Sequence, residues 1–138
     1  MQYLLDMCVF SEYAKPKALT RVIDWVEDQS QNSLFLSVLT IGEIEKGIVR
    51  MPESKRKDNL AIFLEDLILR FDQHIISVDK DIMRRWGPIV GMLETKGRVL
   101  PVIDSLLAAT ALEHDLILVT RNEGDFVATG AKVLNIWH

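Results

Sequence analysis

Four carboxylates stand where strands are expected to hand over to helices. Asp6 closes Tyr3-Leu4-Leu5, Glu43 follows Leu34–Ser37, Asp104 follows Pro101-Val102-Ile103, and Asp125 follows Leu116–Val119. In a parallel sheet such handovers share one edge, so residues distant in sequence converge there. Converging carboxylates repel and raise one another's pKa. A divalent ion removes that conflict, and all-oxygen ligation selects Mg²⁺ or Mn²⁺ over zinc. An ion held this way activates a bound water and bridges phosphate oxygens during in-line displacement. The residue types therefore point to phosphodiester hydrolysis. Local roles are open to three of the four. Thr40-Ile41-Gly42-Glu43 has capping-box spacing with Glu43 at N3. Asp104 is placed to cap the helix it opens, and Asn122 with Asp125 to cap a short one. Asp6 is harder to dismiss as a local cap, because an acid ending a buried apolar strand needs a partner.

The intervening segments supply the strands and helices. Gln2–Leu5, Leu34–Ser37, Ile75–Val78, Leu116–Val119 and Lys132–Ile136 read as short strands. One or two helical turns are expected over Val9–Ala14, and a helix over Lys17–Asp28. Helical spacing runs from Ile41 to about Met51, through Leu60, Phe63, Leu64, Leu67, Ile68 and Phe71, and over Ile103–Glu113. Asp79 is placed to cap a helix carrying Ile82, Trp86, Ile89 and Leu93, in which Pro88 should introduce a kink. Strands alternating with helices imply an α/β domain with a mainly parallel central sheet. The 138 residues fit one domain spanning 1–138.

Composition narrows the partners. With 16 Lys+Arg against 20 Asp+Glu the net charge is −4, so nucleic acid would bind along a local patch rather than a basic body. The single cysteine, Cys8, excludes an internal disulfide and suits a reducing cytoplasm. No apolar run approaches the ~20 residues of a membrane span, so no membrane partner is expected. Trp25 and Trp86 lie at helical spacing, where a core role outweighs an interface role.

Leu4-Leu5-Asp6, Leu36-Ser37-Val38-Leu39-Thr40-Ile41-Gly42-Glu43, Pro101-Val102-Ile103-Asp104-Ser105-Leu106-Leu107-Ala108-Ala109-Thr110-Ala111 and Leu118-Val119-Thr120-Arg121-Asn122, followed by Asp125-Phe126, occur in that order. With the ending Asn135-Ile136-Trp137, the chain resembles PIN-domain ribonucleases of the VapC toxin type, nearly end to end. The resemblance implies a five-stranded, mainly parallel sheet flanked by helices, and a Mg²⁺- or Mn²⁺-dependent endoribonuclease. It makes Asp6, Glu43, Asp104 and Asp125 the catalytic acids. Asp6 and Asp104 would ligate the metal directly, and Glu43 and Asp125 through water or by orienting the nucleophile. Thr120 and Asn122 would support the site through hydrogen bonds. It further implies an RNA substrate, a cognate antitoxin protein that places an Arg on the carboxylates, a homodimer, and contact with DNA only through the antitoxin. One departure stands at the first acid. The family usually reads Asp-Thr-Asn there, whereas this chain reads Asp6-Met7-Cys8, losing a hydroxyl and an amide. That loss makes a catalytically impaired protein-binding module the alternative reading, and the soft thiol of Cys8 opens the site to other metals.

Other chemistries fail on spacing. A cysteine phosphatase needs Arg six residues after its nucleophile, and position 14 is Ala. A haloacid-dehalogenase-type phosphatase needs Asp two after the first, and Cys8 sits there. His74, His114 and His138 show no metal-ligand spacing.

Overall fold

A computed structural model describes residues 1–138. Strand β1 (Tyr3–Leu5) is followed by helices α1 (Met7–Tyr13) and α2 (Thr20–Asp28). Strand β2 (Leu34–Ser37) leads into α3 (Val38–Val49) and α4 (Lys55–Phe71). Strand β3 (Ile75–Ile76) precedes α5 (Lys80–Thr95) and α6 (Val102–Glu113). Strand β4 (Ile117–Val119), α7 (Glu123–Val127) and β5 (Val133–Leu134) complete the chain. The sheet is five-stranded in the order β3-β2-β1-β4-β5, and every pairing is parallel.

Two apolar layers enclose this sheet. Successive side chains of a strand point to opposite faces, and β1 divides accordingly. Leu5 joins Val9, Phe10, Val22, Leu36, Leu64 and Phe71 beneath α1–α4. Leu4 joins Leu107, Ala108, Ala111, Leu118 and Phe126 beneath α6 and α7. A strand buried on both faces carries no polar alternation, which is why β1 reads as a continuous apolar run. Trp25 packs edge-on against Tyr3 at 5.0 Å, and Trp86 donates from Nε1 to Ser105 Oγ at 2.8 Å. Both tryptophans serve packing.

Several boundaries differ from the sequence expectation, each for a local reason. Helix α3 begins three residues before Ile41, because Ser37 Oγ accepts the Leu39 N–H at 3.0 Å and caps it there. Asp79 caps α5 as expected, accepting the Ile82 N–H at 2.9 Å. Helix α5 continues through Pro88 to Thr95, as the placement of Ile89 and Leu93 on it requires. Helix α2 starts at Thr20, and β3 and β5 are limited to the two residues each that find a neighbouring strand. No helix is long and apolar enough to cross a membrane.

Candidate active site

The order of the strands fixes where a site can form. The chain steps outward from β1 through β2 to β3, then returns to the other side of β1 with β4. In such sheets the crevice opens beyond the C-terminal ends of the strands where the order reverses, here between β1 and β4. Asp6 directly follows β1 and Thr120 directly follows β4, and the two meet in that crevice. Thr120 Oγ1 donates to Asp6 Oδ2 at 2.7 Å, both residues being buried. Asp6 Oδ1 accepts the Met7 N–H at 2.7 Å, which caps α1. Asn122 enters through its backbone, its N–H donating to Thr120 Oγ1 at 3.1 Å.

Two readings of the acids as helix caps are overturned. Ser37 caps α3, which puts Glu43 in the second turn rather than at N3 and leaves the Thr40–Glu43 spacing without a capping role. Pro101 is the cap residue of α6, and Asp104 is the third residue of its first turn. No strand precedes Asp104. It reaches the edge because α6 runs back toward the start of β4, antiparallel to the strands, so its first turn lies over their C-terminal ends. Asn122 occupies the cap position of α7 without a side-chain bond, and Asp125 lies in that helix's first turn.

Electrostatics ties the four together. Glu43 is pushed above the usual carboxylate range by burial, then by the charges of Asp6 and Asp104, with Lys46 opposing most weakly. Asp104 is raised by burial, then by Asp6 and Asp125. None of the four takes part in an ion pair. The side chains as placed do not close into a finished cage: no group of three or more Asp, Glu, His or Cys is drawn tightly enough to hold an ion by itself. They form an open acidic crevice with the buried Asp6 at its floor. An all-carboxylate donor set under mutual repulsion fits a hard divalent ion.

Cys8 extends the Asp6 network. Its Sγ donates to Asp6 Oδ2 at 3.6 Å, lies 3.7 Å from Thr120 Oγ1, and accepts the Arg121 N–H at 3.4 Å. Burial, followed by the charge of Asp6, pushes the thiol up to about 11. Without a metal the thiol therefore stays protonated near neutral pH.

The struts that hold these elements carry no local sequence signal. Ser105 Oγ, one residue past Asp104, accepts from Trp86 and donates to Val102 O at 2.7 Å, pinning the first turn of α6 to α5. Arg98 donates to Gly124 O at 3.0 Å, tying the α5–α6 connection to the turn that carries Asp125. Glu12 is a buried carboxylate that no periodicity separates from an ordinary Glu12/Lys15 pair on a helix surface. Its immediate neighbourhood in sequence, Phe10 and Tyr13, was the only available hint. Thr40, one turn before Glu43 on α3, is fully buried and its hydroxyl has no partner. A recess of about 560 Å³ lined by Asp81, Arg84, Arg85 and Glu113 contains none of the four acids.

Comparison with known proteins agrees with this geometry. A family profile described as "PIN domain" matches residues 3–132. Toxin FitB of Neisseria gonorrhoeae is 32% identical over 136 residues, covering 98% of each chain. The VapC ribonuclease Y4jK of Sinorhizobium fredii is 30% identical, covering 97% of this chain and 96% of its own. The solved structure of FitAB bound to an IR36 DNA fragment superposes with a TM-score of 0.91 at 30% identity, covering 99% of this chain and 96% of that one.

Proposed function

This chain belongs to the PIN-domain family, and from that premise we propose that it is a Mg²⁺- or Mn²⁺-dependent endoribonuclease, the toxin of a toxin–antitoxin pair acting in the cytoplasm. The observation that carries the reading is the uncompensated acidic crevice. Burial and the charge of Asp6 disfavour ionisation of Glu43 and of Asp104, Asp125 adds to the effect on Asp104, and none of the four takes part in an ion pair. A fold keeps such a cluster at the expense of stability when an external cation completes it.

In this reading Asp6 and Asp104 would hold the ion directly, and Glu43 and Asp125 would act through water or by orienting the nucleophile. When bound, Mg²⁺ or Mn²⁺ supplies Lewis-acid stabilisation of the phosphoryl oxygens and acidifies a water. The chain's own residues supply the rest. Thr120 fixes Asp6 by donating to Oδ2, which leaves the remaining lone pairs of both carboxylate oxygens directed by the Met7 and Thr120 bonds. In the same reading Glu43, half-buried and with a raised proton affinity, accepts a proton from the attacking water. In the same reading Asp125, exposed in the first turn of α7 and close enough to raise Asp104, orients that water.

The partner proposals follow from what relatives are named for. FitB is named a toxin and Y4jK a ribonuclease, and FitAB was solved on DNA. For this chain we propose RNA as substrate, an antitoxin that occupies the crevice with an Arg, a homodimer, and DNA contact only through the antitoxin. A groove of about 320 Å³ beside the crevice, lined by Met7, Phe10, Ile44, Ile48, Leu60 and Phe63, is suited to an apolar antitoxin segment.

The test is cleavage of RNA by purified protein. Cutting in Mn²⁺, abolished by EDTA and by Asp104→Asn, supports the proposal. No cleavage with any divalent metal would overturn it in favour of a PIN-fold binding module, the reading that Met7 and Cys8 favour.

A further inference from the structure

The turn after β4 carries Thr120, Asn122 and Asp125, yet its anchors lie on the far side of α1. Glu12 of α1 is 1% exposed and must be compensated, because a buried carboxylate without partners costs several kcal/mol. Its Oε1 accepts the Leu19 N–H at 2.9 Å. Its Oε2 accepts from Lys15 Nζ at 3.0 Å and from Trp137 Nε1 at 3.2 Å, and it pairs with an Arg121 guanidinium nitrogen at 3.6 Å. The Arg121 guanidinium also lies over the Trp137 ring, 5.1 Å from its centroid. Trp137 is itself held by Arg21, which donates to its carbonyl at 3.1 Å, and by Asn135 Oδ1, which accepts its N–H at 2.8 Å. Arg121 therefore has two ends in two networks. Its side chain rests on Glu12 and Trp137, and its backbone N–H donates to Cys8 beside Asp6.

We infer that Arg121 is a positioning residue: Glu12 and Trp137 clamp its side chain so that the Thr120–Asn122 backbone stays locked on Asp6. The inference rests on the metal-site reading above and adds a mechanical cause for the site's shape. Glu12 suits the task because it stays ionised at neutral pH and well below it. Its bond to the Leu19 N–H, with Lys15 and Trp137, holds it down at about 2 despite its burial. The Arg121 side chain is about half exposed, so replacing it does not open a cavity in the core.

The experiment compares wild type, Arg121→Ala and Arg121→Lys by Mn²⁺ calorimetry and by amide hydrogen exchange of the metal-free proteins. Arg121→Ala is expected to weaken Mn²⁺ binding by about 3- to 10-fold, less than the 10–100-fold typical of removing a ligand's own hydrogen-bond partner. It should also speed exchange at the amides of residues 121 and 122 while leaving Leu118 in β4 protected. Arg121→Lys keeps a cation near Glu12 and should fall between the two. Unchanged Mn²⁺ affinity with unchanged local exchange would overturn the inference, as would a loss of protection spread equally to Leu118. Weaker RNA binding with neither change would make Arg121 a phosphate contact instead. A wild type that takes up no Mn²⁺ would remove the metal reading itself, and the exchange data alone would then decide whether Arg121 holds the turn.

Discussion

Replacing Asp104 by asparagine should move the melting temperature in opposite directions with and without metal. The side chain keeps its shape and loses its charge. In the metal-free protein that charge is unfavourable, disfavoured by burial and then by Asp6 and Asp125. The group is only half-buried, so solvent screens the effect and the relief is about 0.5–1 kcal/mol. For 138 residues each kcal/mol moves Tm by about 3–4 °C, so the metal-free variant should melt about 2–4 °C higher. The sign with pH follows. The native state binds this proton more tightly than the unfolded chain, so its contribution is lost as pH rises above the ordinary value of 3.8. The variant should lack that part of the slope. At Mn²⁺ equal to 100 times its Kd the wild type gains about 2.7 kcal/mol, close to 8–10 °C, and the variant should lose most of this. Thermal unfolding at constant ionic strength, with EDTA and with Mn²⁺, reads both quantities. A variant that melts below wild type in EDTA, or gains as much from Mn²⁺, would refute the electrostatic account.

Three further outcomes are expected. Thr120→Val removes the donor to Asp6 and the acceptor for Asn122, and should cost about 2–3 kcal/mol because one bond is to a charged group; urea unfolding measures it, and Thr120→Ser should recover most of the loss. Thr40→Val replaces a buried hydroxyl without a partner by a methyl, and should raise stability by about 1 kcal/mol; a lower unfolding midpoint would show that the hydroxyl is used. Glu12 is depressed from 4.5 to about 2, so its contribution is complete above pH 4.5 and lost as pH falls toward 2; Glu12→Gln should flatten the acid limb of stability in that window, as followed by circular dichroism.

The parts of the fold written in local sequence were legible. Leu34–Ser37 matches β2 residue for residue, and Asp79 caps α5, because an apolar run and a capping acid act over a few residues. The Thr40–Glu43 spacing misled for the same reason: a second capping residue, Ser37, lay three positions earlier and won. Asp6 and Thr120 were readable as residues but not as a pair, since only the β1–β4 pairing joins them. Glu12 was invisible because its partners Leu19, Arg121 and Trp137 come from three separate stretches. Cys8 reads in sequence as a lost amide, whereas the folded chain uses its sulfur to join Asp6, Thr120 and the Arg121 backbone.

The central strand is made first and completed last. Tyr3 pairs with Leu34 on one side, but on the other it waits for Ile117. During synthesis the growing chain can therefore build α1–α4 against one face of β1 while the β4 side stays open. Asp6 gains its Thr120 partner, and the crevice its Asp125, only when nearly the whole polypeptide has left the ribosome. A nascent or prematurely terminated product therefore lacks the assembled crevice, because the β1–β4 pairing and the Asp6–Thr120 bond both need residues from the last sixth of the chain.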